Sequence, residues 1–176
     1  MVRVALTGTP GVGKTTVALL AARQGWRVVN VREWAEAEGA VAGHDPDDDA
    51  VAIDVRRLAR RMPADDGADV LYEGHLSHLL PVDGAWVLRC DPRVLRPRLE
   101  VRGYRPRKVA ENLEAEAIDL ILQEALPLRR VVQRDGTRRT PAQVLKAFAE
   151  AGVESLKAPD LEPVDWSGQL PLGGGA

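Results

Sequence analysis

The chain has 176 residues, of which 45% are hydrophobic and 28% charged, and this balance is typical of one globular domain. Its one cysteine, Cys90, excludes an intramolecular disulfide, and it lacks the stretch of about 20 apolar residues that a membrane span needs. We therefore expect a cytoplasmic protein with no membrane partner. The net charge of -2 gives no field for coating DNA, so DNA is not an expected partner.

The first half of the chain alternates predicted strands and helices. Apolar runs and helical spacing predict a strand over residues 3–7, a helix over 14–23, a strand over 28–31, a helix over 33–38, a loop over 40–49 and an amphipathic helix over 51–62. The turn after the first strand is rich in glycine. This order is the strand–loop–helix pattern of an α/β protein.

The second half continues the alternation. It predicts strands over residues 70–72 and 85–88, helices over 92–102 and 108–126, a strand over 131–133, a helix over 141–150 and an irregular tail from residue 152. Five strands separated by helices favour an α/β fold with a parallel five-stranded sheet that helices cover on both faces.

A phosphate-binding motif follows the first predicted strand. Residues 8–15 match GxxxxGK[ST], and the motif opens a helix as it must. Backbone N–H groups from Gly11 through Val12 and Gly13 to Thr15 are expected to converge on phosphate oxygens. Lys14 is expected to reach the β and γ phosphates, and the Thr15 hydroxyl to ligate Mg²⁺. The motif predicts ATP or GTP binding, but it does not separate a kinase from an ATPase or GTPase.

An acid and a histidine follow the predicted strand over residues 70–72. Glu73 lies at the carboxyl end of that strand, where open α/β sheets collect their ligands. It is a candidate for the Mg²⁺ environment or for orienting the attacking oxygen, and the alternative is an ordinary strand-end carboxylate. His75 is a candidate for contacting phosphate or positioning water, and the alternative is a histidine with no functional role.

Arginines cluster where the helix over residues 92–102 ends. Arg98 and Arg102 lie four residues apart on one helix face, and Gly103 breaks the helix directly after them. Further cations follow, so this segment predicts a lid that closes over a polyphosphate. The alternative is a solvated helix end whose charges pair with nearby glutamates.

The chain resembles the adenylate kinases, and most closely the adenylate kinase isoenzyme 6 family of archaea and eukaryotes. The resemblance rests on GTPGVGKTT at residues 8–16, VLYEGHLSHLLP at 70–81 and RLEVRGYRPRKVAENLEAEA at 98–117. It implies a P-loop nucleoside monophosphate kinase domain over residues 1–151. Within that domain it implies a monophosphate-binding region at about 32–62 and a short lid at about 102–110, with residues 152–176 as an irregular tail.

The same resemblance implies an activity and the residues that perform it. The implied activity is phosphoryl transfer from ATP with Mg²⁺ to AMP, with weak ATPase activity. A role in small ribosomal subunit maturation, with a small-subunit ribosomal protein and pre-ribosomal rRNA as partners, is implied as well. By position, residues 11–16, including Thr16, hold the phosphates. Glu73 is the strand-end acid, His75 is linked to ATP turnover, and Arg98 and Arg102 are the lid arginines at the donor nucleotide.

Two departures from common adenylate kinases concern the acceptor phosphate. Glu36 takes the place of an arginine on the monophosphate-binding helix, and Arg32, one turn earlier, is its candidate substitute. A second phosphate-clamping arginine is missing after Glu73. We therefore expect weak AMP binding. The alternatives to a kinase of AMP are an ATP-switched ribosome assembly factor and a P-loop kinase of a small metabolite.

Overall fold

A computed structural model describes residues 1–45, 50–63 and 67–169. The strands are β1 (Arg3–Thr7), β2 (Arg27–Asn30), β3 (Val41–Asp45), β4 (Ala50–Ile53), β5 (Val70–Glu73), β6 (Gly84–Arg89), β7 (Val131–Asp135) and β8 (Asp160–Leu161). The helices are α1 (Lys14–Arg23), α2 (Val31–Ala37), α3 (Val55–Ala59), α4 (Pro92–Val101), α5 (Pro106–Ala117), α6 (Leu120–Ala125) and α7 (Pro141–Ala151). Within the described ranges, no helix is long and apolar enough to cross a membrane.

The main sheet has six parallel strands in the order β2-β5-β1-β6-β7-β8. The predicted α/β fold with a parallel sheet flanked by helices is confirmed, but the sheet has six strands rather than five. Because β1 lies between β5 and β6, the loop that follows β1 emerges at the middle of the sheet. This is the position at which parallel sheets bind ligands beyond their carboxyl ends.

Alternate residues of the central strands face two separate layers of helices. Leu6 and Trp86 belong to one apolar cluster, in which Trp86 stacks on Phe148 of α7 with ring centroids 5.1 Å apart. Ala5 and Val87 belong to another cluster, which α6 covers. Because both faces of the central strands are buried, these strands are apolar throughout and do not alternate between apolar and polar residues.

The region between α2 and β5 differs from the sequence prediction. The predicted loop over residues 40–49 contains β3, which pairs antiparallel with β4, and residues 46–49 lie outside the described part of the chain. The predicted helix over 51–62 is instead strand β4 followed by the short helix α3. The Asp54 side chain accepts a hydrogen bond from Arg57 N at 2.9 Å, so it caps a helix that begins only at Val55. The β-branched residues before Asp54 favour the strand.

The predicted long helix over residues 108–126 is broken into α5 and α6. Asp119 has a φ of 59°, a left-handed conformation that ends one helix and precedes the next. The buried Arg89 donates hydrogen bonds to the Glu116 carbonyl at 2.6 Å and to the Asp119 carboxylate at 2.5 Å. This side chain from β6 therefore holds the break in place.

The sequence predicts an irregular tail from residue 152, but the segment after α7 contains regular structure. Strand β8 pairs with β7 and becomes the sixth strand of the sheet. Trp166 is buried, and its ring lies 5.0 Å from the Arg89 guanidinium. The Glu162 carboxylate accepts a hydrogen bond from Arg139 at 2.9 Å. Residues 170–176 lie outside the described ranges.

Candidate active site

A cleft of about 660 Å³ opens at the carboxyl ends of β1, β2 and β5. The phosphate-loop residues Gly11, Gly13, Lys14 and Thr15 form its floor. One wall comes from residues at the start of α2, including Arg32. Another comes from the α4–α5 connection and the adjoining face of α5, and its lining residues are Arg102, Tyr104, Lys108 and Asn112. Glu73 and His75 line it as well, so the cleft joins all four segments that the sequence singled out.

The phosphate-binding loop needs glycine at three points, and one of them is Gly11, which has a φ of 89°. Gly8 has a φ of 141°, and a Cβ built there would lie 2.2 Å from the Leu88 carbonyl oxygen, so a larger residue would collide with β6. Gly13 has a φ of 110° and directly precedes α1. Val12 is buried in the core, which leaves its backbone as the part that can face a ligand. The loop therefore presents backbone amides and the positive end of α1 to the cleft.

Lys14 folds back onto the loop that carries it. Its Nζ donates hydrogen bonds to the carbonyl oxygens of Gly8 at 2.8 Å and Thr9 at 3.0 Å. The side chain is only 7% exposed, and burial lowers the pKa of the ammonium to about 8, although Glu73 and Glu116 oppose this effect. Lys14 is a positive charge held at the floor of the cleft.

The lowered pKa of Lys14 predicts a pH dependence of ATP use. A protonated ammonium attracts phosphate and a neutral amine does not, so kcat/KM for ATP is expected to fall as pH rises through about 8. A pH profile of ATP turnover measures this. Arginine stays protonated in this range, so Lys14→Arg should show no fall in kcat/KM at alkaline pH, whatever activity the variant retains. A profile of the wild type that stays flat until the ordinary lysine pKa would contradict the prediction.

Thr15, Asn30 and Glu73 meet where β2 and β5 end. The Thr15 hydroxyl donates to Glu73 Oε1 at 3.4 Å, and Asn30 Nδ2 donates to Glu73 Oε2 at 3.0 Å. Glu73 is buried, and this burial raises the pKa of its carboxyl. Hydroxyl and carboxylate oxygens are the ligands that Mg²⁺ prefers. The described residues include no group of three or more His, Cys, Asp or Glu able to hold a metal, so a Mg²⁺ here would need phosphate and water ligands as well.

The two histidines that follow β5 have different surroundings. His75 lines the cleft, and desolvation together with the charge on Lys14 lowers the pKa of its imidazole, so the ring is neutral at pH 7. A neutral ring nitrogen can accept a hydrogen bond or a proton. His78 is buried, with Nδ1 2.9 Å from the Thr7 hydroxyl and Nε2 3.2 Å from Glu124 Oε2. We conclude that His78 packs β1 against α6, whereas His75 is available to a ligand.

The two arginines of α4 occupy different positions. Arg102 caps the carboxyl end of α4 and lines the cleft, close enough to affect the pKa values of both Lys14 and Glu73. Arg98 instead donates to the Gly11 carbonyl oxygen at 3.4 Å. Val12, Thr16 and Arg98 are not among the described residues that line the cleft. Arg98 therefore contacts the phosphate loop from outside the cleft.

The segment between α4 and α5 is shorter than the predicted lid over residues 102–110, because α5 already begins at Pro106. Two of the cations that follow Arg102 have carboxylate partners, in agreement with the alternative of a helix end whose charges pair with nearby glutamates. Arg107 lies 3.0 Å and Lys108 3.5 Å from the Glu111 carboxylate. Lys108 also lines the cleft, so its pairing with Glu111 leaves it at the site.

Sequence reasoning missed two polar residues of the site. Asn30 was not singled out, although its Oδ1 accepts from Glu33 N at 3.1 Å to cap α2 while its amide binds Glu73. An asparagine between a strand and a helix is a recognisable N-cap signal. Glu116 was also missed, and its oxygen accepts a hydrogen bond from the Thr9 hydroxyl of the phosphate loop. Its spacing of 107 residues from Thr9 leaves no local signal.

The fold and the phosphate loop define a P-loop nucleotide-binding domain, and residues 4–119 match the family model described as "AAA domain". Three archaeal relatives carry the name "Putative adenylate kinase". The Pyrococcus furiosus protein is 43% identical over 93% of this chain and 91% of its own, and that of Archaeoglobus fulgidus is 41% identical over 95% and 93%. The Pyrococcus abyssi protein is 40% identical over 93% and 91%. The chain belongs to this archaeal adenylate kinase family.

Among solved structures, a gluconokinase from Sinorhizobium meliloti 1021 is similar with a TM-score of 0.46 and 16% identity. The similarity covers 85% of this chain and 90% of the gluconokinase chain. So distant a likeness has no bearing on the substrate.

Proposed function

We propose that this protein is an ATP:AMP phosphotransferase with a slow ATPase activity. The observation that carries the proposal is the single cleft that places the Lys14 phosphate loop between the Arg102 segment and the Arg32 wall. A phosphoryl donor on the loop would have cations on one side and an acceptor surface on the other. The names of the archaeal relatives support a nucleotide kinase of this kind.

The donor would be held mainly by the loop and its neighbours. The amides of residues 11–16 and the Lys14 ammonium would bind the ATP phosphates, with Arg102 closing from α4 and Arg98 supporting the loop through the Gly11 carbonyl oxygen. Thr15 and Glu73 would hold Mg²⁺, which when bound neutralises phosphate charge and orients the oxygens. His75, neutral and facing the cleft, would accept a hydrogen bond from the attacking hydroxyl or water and so position it.

The acceptor side is weaker than the donor side. Arg32 lines the cleft, but its Nε lies 2.9 Å from the carboxylate of Glu36 on the next turn of α2. Both side chains are about half exposed, so the ion pair contributes little free energy and is readily broken. A phosphate must compete with Glu36 for the guanidinium, and the negative charge of Glu36 opposes the phosphate. We therefore expect AMP to bind more weakly than ATP.

The pairing of Arg32 with Glu36, which weakens the acceptor side, also favours a second candidate function. An ATP-switched assembly factor needs the donor site but no strong acceptor site, and such a protein would use its nucleotide state to bind or release a partner. On this hypothesis the partners are a small-subunit ribosomal protein and pre-ribosomal rRNA. Kinase activity would then be slight, and ATP hydrolysis would be the main chemistry.

The experiment that tests the proposal measures ADP formation from ATP and Mg²⁺ with each nucleoside monophosphate in turn and with none. The kinase predicts strong stimulation by AMP, with a KM for AMP well above that for ATP. ATP hydrolysis that no monophosphate stimulates would reject the kinase in favour of the assembly switch. Absence of both ATP binding and turnover would reject both functions.

Replacement of Arg32 by alanine is expected to raise the KM for AMP by about tenfold, because each charge-assisted phosphate contact contributes about 1.5–3 kcal/mol. The KM for ATP and the basal ATPase rate should stay level, because the phosphate loop is untouched. The matched variant Glu36→Gln removes the competing carboxylate and should lower the KM for AMP. If Arg32→Ala lowers both activities equally, Arg32 supports the fold rather than the acceptor.

A further inference from the structure

Glu116 of α5 is a buried carboxylate that bonds to the phosphate loop. It is 2% exposed, and its Oε1 accepts hydrogen bonds from Arg89 Nε at 2.8 Å and from the Cys90 backbone N–H at 3.0 Å. Its Oε2 accepts a hydrogen bond from the Thr9 hydroxyl, and Thr9 is also buried. A carboxylate with three donors is well satisfied, as a buried charge must be.

The Arg89 partner is fixed by further contacts on all sides. Its Nη1 donates to Gln133 Oε1 on β7 at 2.9 Å, and its Nη2 donates to the two acceptors at the α5–α6 break. The Trp166 ring lies over the guanidinium, and Gln133 is held in turn because its Nε2 donates to the carbonyl oxygen of Glu162, the residue after β8, at 2.6 Å. The Glu116 carboxylate therefore has little freedom to move.

The phosphate loop gains a side-chain anchor from this arrangement. Gly8 and Gly11 have positive φ angles and no side chains that could fix their conformation, whereas Thr9 lies between them and is bonded to Glu116. The Thr9 carbonyl oxygen in turn accepts a hydrogen bond from Lys14 Nζ. The orientation of Thr9 therefore affects where the Lys14 ammonium lies.

Glu116 also connects the phosphate loop to the cation-bearing wall of the cleft. Asn112 and Lys108 lie one and two turns before it on α5, and both line the cleft. Residues spaced by four share one face of a helix, so this face of α5 bonds to the loop at one end and borders the cleft at the other.

We propose that Glu116 is a positioning residue for phosphoryl transfer, which it serves by holding Thr9 and hence the loop and the Lys14 ammonium in the geometry that the γ phosphate requires. The inference rests on the proposed function only in that ATP is the phosphoryl donor; it holds equally for transfer to AMP or to water. Neither the buried pair nor Trp166 contacts the nucleotide in this role.

The test replaces the Thr9 hydroxyl rather than the buried charge, since loss of Glu116 would take from the buried Arg89 one of its two carboxylate partners and would threaten the fold. Thr9→Val is nearly isosteric and removes the donor, while Thr9→Ser keeps the donor and removes the methyl group. We expect Thr9→Val to lower kcat for ATP consumption by about tenfold, the size of one lost buried hydrogen bond to a charged group. Thr9→Ser should stay within about twofold of the wild type, and KM for ATP should change less than kcat.

Thr140→Val is the matched control for stability. Thr140 caps α7, where its hydroxyl accepts from Gln143 N at 3.3 Å, and it does not border the cleft. This control should lower the Tm and leave kcat unchanged. A Thr9→Val variant with wild-type kcat, or a Thr9→Ser variant as slow as Thr9→Val, would overturn the inference. A wild type that neither binds nor consumes ATP would instead reject the proposed function.

Discussion

Replacement of Lys14 by alanine is expected to lower phosphoryl transfer to AMP and basal ATP hydrolysis together, each by about a thousandfold. The Lys14 ammonium is buried and is the one cation at the floor of the described cleft, where a charge that contacts the γ phosphate would stabilise the transition state more than it would in water. Because both reactions cleave the same phosphate bond, neither should escape the loss. Steady-state ADP formation with and without AMP measures both rates.

The fold should survive this replacement. The lowered pKa of Lys14 means that the folded protein disfavours the charged side chain; this penalty is full below a pH of about 8 and fades as the pH rises from there to the ordinary lysine value of 10.5. Removing the side chain at pH 7 removes this penalty but also the two hydrogen bonds from Lys14 Nζ to the loop, so the Tm should change little. Lys146, an exposed residue of α7, provides a matched control, and Lys146→Ala should retain full activity. Turnover near that of the wild type in Lys14→Ala would remove the basis of the site assignment.

The phosphate loop could be predicted because its determinants are local. Residues 8–15 contain the glycines, the lysine and the start of α1 in one stretch, and α1 begins and ends at the predicted residues. The central strands could be predicted for a similar reason, since burial on both faces makes each strand a short apolar run. These two features together place the cleft at the middle of the sheet.

The features that escaped prediction depend on contacts between distant residues. Strand β8 has only two residues, and it is a strand because it pairs with β7, since its own sequence contains no strand signal. The break between α5 and α6 lies within a continuous helical pattern, and Arg89, 30 residues before Asp119, donates the hydrogen bonds that fix it. Propensity gives way to tertiary contact in both places.

The hairpin of β3 and β4 shows a different source of error. Residues 51–62 carry apolar side chains at helical spacing, yet Asp54 divides them by capping α3. An N-cap inside an apparent helix is a local signal that the amphipathic pattern obscured. As a consequence Ile53, at the end of β4, lines the cleft from a strand where a helix had been expected.

Replacement of His75 by alanine is expected to lower turnover by about a hundredfold while ATP still binds. The backbone amides that hold the phosphates do not involve His75, whereas positioning or general-base catalysis by an imidazole contributes about a hundredfold or more. Nucleotide affinity from calorimetry and ADP formation from a coupled assay separate these two effects. An unchanged rate would mean that His75 has no part in the reaction.

His75→Asn determines how the imidazole acts. Asparagine can accept a hydrogen bond but cannot take up a proton near neutral pH. If His75 only positions the attacking hydroxyl or water, His75→Asn should recover much of the activity that alanine loses. If the imidazole takes the proton, His75→Asn should be as slow as His75→Ala. Because the pKa of His75 is lowered, the wild-type ring stays neutral well below pH 7, so turnover by either route should hold at mildly acidic pH, where an ordinary histidine would become protonated.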